Sequence, residues 1–239
     1  MEGRNATFPD GAPPGWVVRS VDVTGSTNAD LMAAGFAGAP HRSVLVADHQ
    51  TAGRGRLDRT WEAPPGANLL VSILLRDGLD TLQAATQRVA VAAARACEQV
   101  AGVVPELKWP NDLLLDGRKL AGILAQVGMV DGAPAFVVVG LGLNIGWAPH
   151  GAARLPVGDR DRVLAAVLAA LDALPADVTD EYRARLGTTG RQVRVEVAGE
   201  TFVGRAIGVD DAGRLVVDTS RGRRVVDAGD VVHIRSGVE

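Results

Sequence analysis

Apolar and polar residues alternate with a period of two over WVVRSVDV (16–23), which predicts a strand running into Thr24-Gly25-Ser26-Thr27-Asn28. The stretch ADLMAAG then reads as a short helix, with Ser26 or Thr27 as a natural N-cap. SVLVA (43–47) and NLLVSILL (68–75) are continuous apolar runs of strand length, separated by the glycine- and arginine-rich loop TAGRGRLDRTW. Helical spacing returns at 80–101, where Val89, Ala92, Ala93, Ala96 and Val100 share one face. Strand-like pieces follow: LKW, then LLLDGRKLAGILAQV with a turn at Asp116-Gly117, then APAFVVVGLGLNIG after a turn at Asp131-Gly132. DRVLAAVLAALDAL and DEYRARLG read as two closing helices.

The pattern changes after Gly187-Thr188-Thr189-Gly190. Five short alternating segments between 191 and 236, with turns every eight to ten residues, predict a small β-barrel of SH3-like size. The expected architecture is α+β: a catalytic domain over 1–187 and a C-terminal barrel over 188–239, without internal repeats. Residues 1–15 lack the apolar centre of a secretion signal and read as a disordered leader.

Composition narrows the class. One cysteine among 239 residues allows no internal disulfide, and no apolar run is long enough to span a bilayer, so a cytoplasmic protein is expected. A net charge of −3 argues against a nucleic-acid partner, and about fifteen residues before the first strand are too few for a helix-turn-helix. Of the 25 basic residues only Lys108 and Lys119 are lysines. In a chain that otherwise uses arginine, two lysines flanking Trp109-Pro110-Asn111-Asp112 point to positions that need a compact ammonium.

Several nucleotide and metal motifs are missing. There is no Walker A sequence, the Gly140-Leu141-Gly142 pattern lacks its third glycine, and four histidines form no ligand set. Cys97 lies on the alanine-rich helix face and reads as a core residue. What stands out is Gly53-Arg54-Gly55-Arg56-Leu57-Asp58-Arg59-Thr60-Trp61, a loop able to fold over an anion with backbone amides and guanidinium forks.

With Ser26-Thr27-Asn28, Lys108-Trp109-Pro110-Asn111-Asp112, Lys119-Leu120-Ala121-Gly122-Ile123-Leu124 and Gly140-Leu141-Gly142-Leu143-Asn144, this loop completes five ordered blocks. Together they resemble the biotin–protein ligases, of the single-function type without an N-terminal DNA-binding domain. The resemblance implies a mixed-sheet, biotin/lipoate ligase-like fold that adenylates biotin with ATP and Mg²⁺. Biotin then passes to a lysine of a biotin carboxyl carrier domain of an acyl-CoA carboxylase. It implies a biotin site of Ser26, Thr27, Asn28, Gln50, Arg54, Gly55, Arg56, Lys119 and Gly122. For ATP it implies Arg56, Arg59, Trp61, Lys108, Asn111, Asp112 and Asn144, with Asp112 beside Mg²⁺. Lys119, Arg54, Arg56 and Asp112 would carry the catalysis. Asp58 and Gln126 depart from the family's glycine and acid. A lipoate–protein ligase or octanoyl transferase of the same fold, a DNA-binding repressor and a biotin-sequestering module are the competing readings. No DNA or membrane partner is expected, and a monomer or weak homodimer is the expected state.

Overall fold

The structure, a computed structural model, describes residues 6–7, 13–57, 59–76, 81–197 and 199–234. Asp58 and most of the expected leader lie outside these residues. Ala6–Thr7 (β1) is an exception to the leader reading, because it pairs with Ser20 and Arg19 of the next strand.

Eight strands form one mixed sheet. They are β1, β2 (Val17–Thr24), β3 (Ser43–Gln50), β4 (Leu69–Leu75), β5 (Glu106–Lys108), β6 (Asp112–Leu115), β7 (Arg118–Val130) and β8 (Ala133–Leu143). Their order is β1-β2-β3-β4-β8-β7-β6-β5. Only β2 and β3 run parallel, joined by the crossover helix α1 (Thr27–Phe36), so both strands end on the same side, at Thr24 and Gln50. The two sharp hairpins fall where the sequence places them. Asp116 and Gly117, and Asp131 and Gly132, all have positive φ, the geometry of a two-residue turn.

Alternation along β4, β7 and β8 decides what each face of the sheet carries. Val71, Ile73, Ile123, Val137, Val139 and Leu141 face α2 (Leu82–Ala101) and α3 (Arg160–Ala173) in the larger core. The opposite face packs Leu31 of α1 against Leu45, Leu74, Phe136 and Val138. Helix α2 is capped by Thr81, which accepts from the Ala84 amide, and ends at Gly102 in the left-handed conformation. It is buried on more than the predicted face: Ala85, Ala90, Val91, Ala94 and Cys97 are also inside, while Val100 is half-buried. Alanine lets this occur, since small side chains allow α3 to approach one flank while the sheet covers another.

A seven-residue helix, α4 (Thr179–Arg185), leads to the second sheet. Its strands are β9 (Gln192–Val197), β10 (Glu200–Val209), β11 (Leu215–Thr219), β12 (Gly222–Val226) and β13 (Asp230–His233). All are antiparallel, in the order β12-β11-β10-β9-β13. Val193, Val195, Ala206, Leu215, Val217 and Val231 form its inner face. Trp109 ties the two sheets together. Its amide donates to Thr188 Oγ1 and its indole N–H to the Gly213 carbonyl, 3.0 Å away, and its side chain is fully buried.

Candidate active site

On the α1 side of the sheet, register creates a floor with little side chain on it. Leu70, Gly142 and Gly122 stand in one cross-strand row, and Ser72, Gly140 and Leu124 in the next. Above these rows opens a cavity of about 390 Å³, in the range of small-molecule sites. The glycines are required by what lies on them. A Cβ at Gly142 would meet the Trp61 indole at 2.7–2.8 Å, and one at Gly140 would meet the Asn28 amide carbon at 3.0 Å.

One end of the cavity is neutral and polar. The parallel strand ends bring Ser26, Thr27 and Asn28 beside Gln50, and all four line the cavity. Ser26 occupies the N-cap position of α1, but its side chain makes no capping bond. The Thr27 amide instead donates to Gln50 Oε1 at 2.8 Å. Asn28 Nδ2 donates to the Leu124 carbonyl at 3.0 Å and to Gln126 Oε1 at 2.9 Å. Ser72 Oγ, fully buried, lies 2.7 Å from Thr27 Oγ1 and 2.6 Å from Asn28 Oδ1.

The other end is charged. Lys119 Nζ stands 2.7 Å from Asp112 Oδ1, an ion-pair contact lying off the line of a good hydrogen bond, and 5.5 Å from the centre of the Trp61 ring. Gly122 makes room for this lysine, since a Cβ there would lie 3.2 Å from Nζ. The indole N–H of Trp61 is buried and has no hydrogen-bond partner among the described residues.

The arginine loop closes over this end as a small hairpin. Gly55 donates to the Arg59 carbonyl and Trp61 to the Gly53 carbonyl, at 2.6 and 2.9 Å. Arg56 reaches Asn111 Oδ1 at 3.3 Å and the Gly229 carbonyl at 3.0 Å, while Arg59 pairs with Asp230. Burial lowers the Arg56 pKa against the opposing pull of Asp230 and Asp112. Asp230 loses solvation too, which alone would raise its pKa. Its hydrogen bond to Arg59 and the charges of Arg59, Lys108 and Arg56 leave it below the ordinary carboxylate value.

Every site residue expected from the sequence lines this cavity except Lys108, which sits half-buried on β5 near Asp230 and His233. Asn144 lines it but spends its amide on the protein, donating to Ala153 and Lys119 carbonyls and accepting from Asn68. The sequence reading missed Ser72, Asp230, Trp147 and Pro149. Ser72 is a lone hydroxyl in an apolar strand, a signal that could have been noticed. Asp230 sits in an alternating strand of the second sheet and carries no such mark.

Residues 20–144 match the Biotin/lipoate A/B protein ligase family, and residues 188–234 match the Biotin protein ligase C terminal domain. The chain belongs to the biotin/lipoate A/B protein ligase family. It is 41% identical to the biotin–acetyl-CoA-carboxylase ligase of Mycobacterium tuberculosis, over 94% of this chain and 92% of that protein. It is 31% identical to the ligase of the same name from Paracoccus denitrificans, over 87% and 97% respectively. The fold is similar to a biotin protein ligase from Aquifex aeolicus solved with biotin and ATP, at a TM-score of 0.78. That likeness covers 92% of this chain and 99% of the other at 23% identity. The glycine floor, the neutral polar end and the arginine hairpin line one cavity.

Proposed function

We propose that the chain activates biotin with ATP to biotinyl-5′-AMP and transfers the biotin to a lysine of a carrier domain of an acyl-CoA carboxylase. The observation that carries this reading is the polarity of the cavity. A neutral amide-and-hydroxyl end lies across an apolar, glycine-floored channel from an ammonium and three guanidinium groups. The ureido ring fits the first and the valeryl chain the second, so the carboxylate arrives beside Lys119.

The chemistry joins two anions. The biotin carboxylate attacks the α-phosphorus of ATP in line, a P–O bond forms, and pyrophosphate leaves with the electrons of the broken bond. Lys119 Nζ is placed to neutralise the carboxylate and the phosphoryl oxygens as charge spreads over them. Arg54 and Arg56 close over the product. Arg59, Asn111 and Trp61 line the nucleotide end, where Trp61 shields the anhydride from water. The lysine amine of the carrier then attacks the acyl carbon and AMP departs.

Mg²⁺ fits Asp112. Its Oδ1 is buried, and Mg²⁺ is commonly held by one carboxylate together with phosphates and water. When bound it would neutralise the phosphates. Among the described residues no group of three acidic, histidine or cysteine side chains forms a cage, so Asp112 would hold it with the nucleotide.

No described helix is long and apolar enough to cross a membrane. We propose a cytoplasmic enzyme, monomeric or weakly dimeric, and the net charge of −3 accords with its having no DNA partner. The test is direct: incubation with biotin, Mg-ATP and a purified carrier domain should add one biotin per carrier by mass spectrometry. An unmodified carrier with lipoate in place of biotin would confirm the choice of acid. Modification by lipoate alone would refute it.

A further inference from the structure

The hydrogen bonds under the neutral end of the cavity do not have enough protons to go round. Both protons of Asn28 Nδ2 are committed, to the Leu124 carbonyl and to Gln126 Oε1, so Asn28 Oδ1 must face Ser72. A carbonyl oxygen brings no proton, so the hydroxyl of Ser72 donates to Asn28 across 2.6 Å. The 2.7 Å contact between Ser72 and Thr27 then needs the proton of Thr27. That leaves the third contact, Thr27 Oγ1 to Gln50 Oε1 at 3.0 Å, with no hydroxyl proton. Gln50 Oε1 cannot turn away, because the Thr27 backbone amide holds it at 2.8 Å. Three oxygen–oxygen contacts share two protons, and the two shorter, more deeply buried contacts hold them.

We propose that Ser72 is a positioning residue that fixes the donor and acceptor sense of the ureido end. By accepting the Thr27 proton it leaves Thr27 Oγ1 and Gln50 Oε1 as two adjacent acceptors facing the cavity. Such a pair is satisfied by a ligand N–H placed between them. The site therefore selects a cyclic urea, or another ring with an N–H at that position, and rejects an isostere with oxygen there. This rests on the biotin reading above and adds to it the residue that sets the selectivity.

The test is a thermodynamic cycle with biotin and its two oxazolidinone analogues, in each of which ring oxygen replaces one ureido N–H. Binding is measured by calorimetry to the wild-type protein, Ser72→Ala and Ser72→Cys, together with the KM for ATP and the melting temperature of each. In the wild type, one analogue should bind about 100-fold more weakly than biotin, because an acceptor pair then meets a third acceptor. In Ser72→Ala, Thr27 recovers its proton and can turn it to the ring oxygen. The penalty should shrink to about tenfold or less, with the KM for ATP within about twofold of wild type. Ser72→Cys keeps a weak donor and acceptor and should fall between the two, which also guards against an alanine variant that fails to fold. Equal penalties in all three proteins would overturn the assignment. So would a Ser72→Ala that weakens biotin and ATP alike, the mark of a merely structural residue. Wild-type protein that binds no biotin would instead overturn the substrate reading, and this one with it.

Discussion

Gly142→Ala should disable the cavity by moving one side chain. The new methyl would lie 2.7 Å from Trp61 Nε1 and 2.8 Å from Cζ2, where ordinary contact is 3.4–4 Å, so the indole must retreat by about 1 Å. It has somewhere to go: Trp61 is only partly buried, and its backbone is held to Gly53 of the arginine hairpin rather than by the sheet. The strain is therefore relieved by the indole and not by β8, whose neighbours Leu141 and Leu143 stay packed. Overpacking that cannot relax costs about 1–3 kcal/mol, and the same range spent on the ligand's wall corresponds to about 5- to 150-fold in binding. We expect biotin affinity by calorimetry to fall in that range, the melting temperature to move little, and Trp emission to shift to the red. The cycle with Trp61→Ala is decisive, because removing the indole removes the clash. In that background Gly142→Ala should cost less than about twofold more. Additive losses, or a wild-type affinity in Gly142→Ala, would show that the indole does not rest on the floor when the ligand binds.

Lys119→Arg keeps the charge but replaces a compact ammonium, beside Asp112, with a planar fork. Adenylation should fall about 10²-fold at unchanged melting temperature, and near-normal turnover would make Lys119 a generic cation. Asp230→Asn removes the second sheet's hold on Arg59, so hydrogen exchange in residues 53–57 of the ligand-free protein should quicken. Unchanged protection would show that the hairpin closes by its own backbone bonds. His233 lies between the sheets beside Thr188, and burial, Lys108 and Arg191 depress its pKa to about 4. Unfolded histidine binds its proton near pH 6.5, so the unfolded chain takes up the proton first and stability should decline as pH falls from about 6.5 to 4. His233→Gln should flatten that part of the melting-temperature profile, and an unaltered slope would assign the decline to other groups.

The chemistry was legible wherever polar residues or glycine interrupted a strand or helix pattern. Ser26-Thr27-Asn28 breaks a strand, Gly53–Trp61 has no periodicity, and the glycines at 122, 140 and 142 sit where β-branched residues belong. Ser26, Thr27 and Asn28, the hairpin residues Arg54, Gly55, Arg56, Leu57, Arg59, Thr60 and Trp61, and the three glycines all line the cavity. What escaped were relations across the chain. Arg59 meets Asp230 at a separation of 171 residues, and nothing in an alternating strand marks that carboxylate. Lys108 belongs to a block that otherwise faces the cavity, but its place in a three-residue strand leaves it outside the lining, near Asp230 and His233. Asn144 lines the cavity, and its amide also fastens β8 to the segments at Lys119 and Ala153, a role that no local pattern marks. The burial of α2 exceeded one face because hydrophobic periodicity treats alanine as neutral, whereas packing treats it as an opportunity for close approach. The parallel pairing of β2 and β3, which brings Gln50 to Thr27, also follows from the crossover and not from either strand's own pattern.

In the proposed reaction this cavity joins a biotin carboxylate to the α-phosphate of ATP before any acceptor protein is present. Exchange of labelled pyrophosphate into ATP measures that step alone. With Mg²⁺ and ATP, label should enter ATP only when biotin is added, should do so without carrier protein, and should fall about 10²-fold in Lys119→Arg. Exchange that proceeds without biotin, or none at saturating biotin and ATP, would rule out adenylation of biotin in this cavity.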